Sequence, residues 1–241
     1  MSCADRRSAA RLTGMLLLIS LLAMLAGVAV VVPSGLTLNP ADPGAVLAVV
    51  NARVAWHLIG LGLDVVGWLA LLAAGLAMTA RPTGPRSHLV TLAGGLLACA
   101  GLAGLLHDAG NLALTQLAAD PTDPSTAIVA RAVLLTAKWA VNLAGLLWVA
   151  ATVTTALGVP LPTALRRTGL IAAASGLAAV LLPWTTGIDG PSATLEQLGY
   201  GLHLPVMLWY GVLGWYWWTA GRPFRNPPAA GLDVVRVGDG V

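Results

Sequence analysis

Six long apolar runs restrict the fold of this chain more than any other feature: Leu12 to Val32, Val54 to Ala80, Leu89 to Leu106, Ile128 to Leu157, Thr168 to Trp184 and Leu198 to Thr219. A bilayer core of ~30 Å takes about 20 helical residues, and no backbone polar group inside it can be left without a partner. The runs are therefore expected to be transmembrane helices, and the fold class all-α: a polytopic six-helix bundle. Composition agrees. Only 10% of the 241 residues are charged and 57% are apolar, against about 25% and 45–50% in soluble domains. A disordered chain, a coiled coil and a collagen-like chain are excluded. A net charge of +3 is too small for a basic nucleic-acid-binding face, so no nucleic-acid partner is expected. The first run reads as a retained helix, because it is long for a signal peptide and no small-x-small cleavage site follows it.

Orientation follows from the arginines. Arg6, Arg7 and Arg11 precede the first span, Arg81 and Arg86 separate spans two and three, Arg166 and Arg167 separate four and five, and Arg222, Arg225 and Arg236 follow span six. These are ten of the thirteen cations, and all fall on one side, which the positive-inside rule makes cytoplasmic. Both termini are then cytoplasmic. Residues 1–222 read as a single six-span transmembrane domain and 223–241 as a flexible cytoplasmic tail, marked by Pro227-Pro228. Twelve of the cations are Arg and one is Lys. With the Ala, Gly and Leu richness, that bias suits a GC-rich bacterial genome, and the expected location is the bacterial cytoplasmic (inner) membrane.

Local signals refine the helices. Asp42-Pro43 and Asp123-Pro124 each set a capping carboxylate before a proline at the first helical position. Helices two and four are thus expected to start well outside the bilayer. Gly94, Ala98 and Gly101 make a small-residue stripe on span three, and Gly169/Ala173 and Ala172/Gly176 do the same on span five. Such stripes let helices approach closely in lipid. Trp56 and Trp184 suit an outer aromatic belt, and Trp215, Trp217 and Trp218 an inner one.

Measured outward from the cytoplasmic boundaries at about 1.5 Å per residue, the ionisable residues of the spans gather in one outer layer. Asp64, His107, Asp108, Lys138, Tyr200 and His203 lie at or just below the outer boundary, and Arg53, His57, Arg131 and Glu196 above it. Helical phase puts Arg53, His57 and Asp64 on one face, Arg131, Lys138 and Asn142 on a second, and Glu196, Tyr200 and His203 on a third. Lipid cannot satisfy such groups, so the faces are expected to turn inward on a common outward-facing polar pocket. Asp64 is the deepest carboxylate and Lys138 its expected partner; the plainer reading of Lys138 is an ion pair that orients two helices. His57, His107 and His203 stand on three helices near one level and are the candidate ligands for a metal ion or a haem. The plainer reading is hydrogen-bonded structural histidine, since no i, i+4 ligand pair is present.

Cys3 and Cys99 imply no disulfide framework. No GxSxG, P-loop, HExxH or GxGxxG occurs, so a non-enzymatic role and no resident cofactor are expected. The first functional reading is a bundle that binds or passes a small polar molecule or ion. The alternatives are an accessory subunit of a membrane complex and a metal- or haem-binding redox protein. Lipid is the expected partner, with a second membrane protein or another copy of the chain as further ones.

Four stretches carry a family resemblance: Arg11-Leu12-Thr13-Gly14, Asn51-Ala52-Arg53-Val54, Leu161-Pro162 with Leu165-Arg166-Arg167-Thr168-Gly169-Leu170, and Leu204-Pro205-Val206-Met207-Leu208-Trp209. With this layout the chain resembles a family of bacterial six- to seven-span membrane proteins of about this length, classified only as a domain of unknown function. The resemblance implies membrane embedding and assigns no activity or residue role.

Overall fold

The computed structural model describes residues 3–80, 87–120, 123–189 and 192–220. Arg81, Arg86, Arg222, Arg225, Arg236 and the tail from Pro223 lie outside the described residues. Among the described residues there are seven α-helices: α1 (Cys3–Val31), α2 (Pro43–Ala52), α3 (Val54–Thr79), α4 (Ser87–Leu117), α5 (Pro124–Gly158), α6 (Thr163–Leu181) and α7 (Ala193–Ala220). A 3-10 segment, Leu182–Asp189, joins α6 to α7.

Seven helices replace the six expected because the chain breaks before the second span. Arg53, at φ −135° and ψ 34°, ends α2 and begins α3. α2 is therefore a separate helix rather than the outer extension of α3. Both Asp-Pro signals act as caps. The Asp42 carboxylate accepts from Ala45 N–H at 3.0 Å and Asp123 from Ser125 N–H at 3.1 Å.

Among the described residues five helical stretches are long and apolar enough to cross a membrane: Arg7–Val31, Val54–Thr79, Ser87–Leu117, Ser125–Gly158 and Thr163–Gly187. Only 33% to 44% of their apolar windows is buried inside the bundle, so their outer surfaces expose many Leu, Ile and Val side chains. α7 is not among the five. Its 28 residues reach about 42 Å, but His203, Pro205 and its Trp, Tyr and Gly residues lower its mean hydropathy.

The six long helices close into a ring. α1 packs on α3, α3 on α4, α4 on α5, α5 on α6, α6 on α7, and α7 returns to α1. Backbone contact locks two of these seams. A side chain on Gly94 would run into Gly75 O at 2.6 Å and Thr79 N at 2.8 Å, and one on Gly14 into Gly214 O at 2.5 Å. Only glycine permits that approach. The stripe on the third span is thus the α3–α4 seam, and buried Gly169, Ala172, Ala173 and Gly176 supply the face of α6 that meets α7.

Aromatic rings fill the middle of the ring of helices. Trp148 of α5 meets Trp68 of α3 at 5.7 Å between centroids, His203 of α7 at 5.3 Å and Tyr210 of α7 at 5.9 Å. Trp217 is fully buried and belongs to this interior rather than to the expected inner belt. Trp215 and Trp218 are exposed, as are Trp56 and Trp184. Pro205 lies inside α7, and Ser175 of α6 donates to Leu202 O in the preceding turn at 2.7 Å, which ties α6 to α7 there. A second apolar cluster caps the end that carries α2. Leu36 and Leu38 of the α1–α2 connection join Val46, Leu47 and Val50 of α2 with Leu114, Ala118, Ala130 and Leu134 of α4 and α5.

Candidate functional site

Beneath that cap the polar residues separate into two clusters rather than one pocket. The first spans α3 and α4. His57 is buried, and its Nε2 lies 3.1 Å from Asn111 O, so the ring donates there. One turn below, the Asn111 amide donates to His107 Nε2 at 2.9 Å. His107 Nδ1 in turn faces Ala137 O of α5 at 2.8 Å. A carbonyl only accepts, so the proton sits on Nδ1 and the lone pair on Nε2. A continuous hydrogen-bonded chain thus ties α3, α4 and α5 together.

Next to this chain stand Asp64 of α3 and Asp108 of α4. One donor atom each from Asp64, His107 and Asp108 fits within 4.8 Å of the others. Asp108 is 3% exposed, and apart from a proton shared with the Asp64 carboxyl no donor reaches its oxygens. The polar group it faces is the Asp64 carboxyl, with the Trp68 indole beside Asp64. Among the described residues no Lys or Arg pairs with either acid. Asp108 also lines a groove of about 410 Å³ between α3 and α4, otherwise walled by apolar residues such as Leu58, Leu61, Leu105 and Leu112.

The second cluster spans α5, α6 and α7. Lys138 Nζ pairs with Glu196 at 2.8 Å, and the side chains are only 13% and 10% exposed. Tyr200 is the next neighbour of the ammonium and is itself exposed. Asn142 donates to Val180 O at 3.0 Å and accepts from the Trp184 indole at 2.8 Å, which stitches α5 to the end of α6. The clusters are neighbours, because Ala137, whose carbonyl accepts from His107, is adjacent to Lys138.

The expected pairing of Lys138 with Asp64 is corrected to Lys138 with Glu196. α4 lies between α3 and α5, whose backbones do not approach each other, so Asp64 meets Asp108 first. The three histidines do not converge either. His57 and His107 share Asn111, whereas His203 packs against Trp148 and the faces of Gly145 and Gly176. Arg53 is exposed and donates to Ser34 O, and Arg131 is exposed, so neither guanidinium enters a cluster. Sequence reasoning missed Asn111, Trp68 and the Ala137 carbonyl. Asn111 carried a signal, standing four residues after His107 on the same face.

No protein-family model, curated protein or solved structure matches this chain.

Proposed function

We propose that this chain is a six-span membrane protein that binds a cation at the end capped by α2, on the Asp64–Asp108 pair. One observation carries the reading: two carboxyl groups face each other with no Lys or Arg partner, while a lysine nearby is already taken by Glu196. Like charges so close in a weakly polar setting are neutralised by a shared proton or an arriving cation. A purely structural pair would be expected to include its own cation, as the neighbouring cluster does.

α7 is the sixth span in this reading. Its packing on both α6 and α1 and its exposed Val212, Trp215 and Trp218 support it. The Arg distribution makes the termini cytoplasmic and turns the α2 end outward, in a bacterial inner membrane. Membership of the six- to seven-span family that the sequence resembles belongs to the same proposal.

Two experiments test it. In a background lacking Cys3 and Cys99, an impermeant thiol reagent applied to intact cells labels Asp123→Cys and spares Arg86→Cys; the reverse pattern overturns the orientation. For the site, the purified protein in detergent is melted with NaCl, ZnCl2 or benzyltrimethylammonium. At least one cation at 100-fold its Kd stabilises the fold by ~2.7 kcal/mol, read as a rise in melting temperature, and Asp108→Asn abolishes the shift. No response to any of the three overturns cation binding.

A further inference from the structure

We infer that the cation is a first-row divalent metal ion, held by Asp64, Asp108 and His107 Nε2. The inference rests on the cation-binding reading above and narrows it to one ligand class. Four features of the site favour a metal over a simple charge-compensating ion.

The donor set is one imidazole nitrogen and two carboxylates gathered within 4.8 Å. Imidazole with carboxylate suits Zn, Mn, Fe or Co, whereas Na and Mg prefer oxygen alone. The His107 tautomer is already set. Its Nδ1–H is bonded to the Ala137 carbonyl at 2.8 Å, the outer bond that metal-ligating histidines usually make, and Nε2 carries the lone pair. The present partner of that lone pair is the Asn111 amide, a neutral donor that a metal displaces. Apart from a proton shared with Asp64, the two buried oxygens of Asp108 have no donor, so acceptor capacity is left over once that proton leaves. The frame is also rigid. α3 and α4 touch backbone to backbone through Gly75, Gly94 and Ala98, and the Trp68 ring lies on Gly104 directly below the acids. Their relative position is therefore fixed before any ligand arrives.

Binding needs no redox step. The metal takes the Nε2 lone pair from Asn111 and one oxygen from each acid, and any proton shared by the carboxyl pair leaves to solvent. Three protein ligands leave the remaining positions to water. The His57–Asn111 bond keeps the displaced Asn111 backbone in place.

The test uses the full-length protein in detergent, freed of metal with a chelator. Titration with Co2+ is followed by visible absorption and with Zn2+ by calorimetry in weak buffer. The expected result is one Co2+ per chain with ligand-field bands and no sulfur charge-transfer band, Zn2+ competition for the same site, and proton release. Asp64→Asn, Asp108→Asn and His107→Gln each weaken binding at least tenfold. Asn111→Ala tightens it several-fold, an effect that a merely structural Asn111–His107 bond would not produce. Cys99→Ser, which removes an exposed thiol, changes nothing. Absence of Co2+ and Zn2+ binding to the wild-type protein overturns the proposal, as does binding that survives Asp108→Asn. If benzyltrimethylammonium stabilises the protein and Zn2+ does not, the metal is overturned and cation binding stands, with the apolar groove as the entry. If neither acts, and sodium does not either, both readings fall.

Discussion

The α3–α4 cluster and the α5–α7 cluster lie side by side in one bundle, and they solve the same problem in opposite ways. Lys138 and Glu196 neutralise each other at 2.8 Å, both nearly buried. Asp64 and Asp108 face each other, and among the described residues no Lys or Arg pairs with either. Buried charge in hydrocarbon is tolerated when it is paired, so the Lys138–Glu196 bridge reads as architecture. Among the described residues the acid pair has no Lys or Arg of this kind. A proton shared by the two carboxyls or the proposed cation would complete it, and this difference, rather than polarity alone, is what the proposed function rests on.

The comparison breaks most directly at Lys138. Lys138→Met strands Glu196, and loss of one partner of a buried pair costs about 3–5 kcal/mol. The melting temperature in detergent should fall steeply, and the double variant Lys138→Met/Glu196→Gln should recover part of the fall. If the two single losses simply add, the bridge is not a coupled unit.

A smaller effect is expected at the frame of the acid cluster. Gly94→Val forces a side chain against the Gly75 carbonyl, 2.6 Å from the place of its Cβ, and overpacking of this kind costs about 1–3 kcal/mol. The seam joins the two helices that carry Asp64 and Asp108, and on the proposal that it positions the acids the variant should lose cation response more completely than stability. Equal losses would mean that the seam does not position the acids.

The helix caps should leave the comparison untouched. Asp42→Ala removes the acceptor of Ala45 N–H at a cost of about 1 kcal/mol, without altering either cluster. Asp123 adds a pH signature. The Ser125 hydroxyl and backbone N–H hold its carboxyl below the usual range. A depressed carboxyl contributes stability above its unfolded pKa of about 3.9 and loses it as pH falls through the folded value. The melting-temperature advantage of wild type over Asp123→Ala should therefore vanish in strong acid and persist at neutral pH.

Much of this was legible in the chain, and the part that was not has a geometric cause. The apolar runs, the two Asp-Pro caps and the Gly94–Ala98–Gly101 stripe are local signals, and each appears as a helix, a cap or a seam. The order of helices around the ring was not legible. Asp64 and Lys138 share a level, yet α4 stands between their helices, and Glu196, read as lying higher, is the residue that Lys138 reaches. Trp68, Trp148, Trp209 and Tyr210 fill the centre for the same reason: their role depends on which helix faces which. The break at Arg53 escaped because no Pro or Gly marks it, and the residues on both sides favour helix.

The central claim is that the acid pair lacks a resident counter-charge while the lysine pair has one, and one measurement tests it most directly. The melting temperatures of Asp108→Asn and Glu196→Gln are compared with wild type, in metal-free buffer at neutral pH. Neutralising Asp108 removes a repulsion and should leave the melting temperature unchanged or raise it, whereas neutralising Glu196 leaves the Lys138 ammonium buried without its partner and should lower it. A fall of similar size in both variants would mean that Asp108 is as structurally paired as Glu196, and would contradict the account.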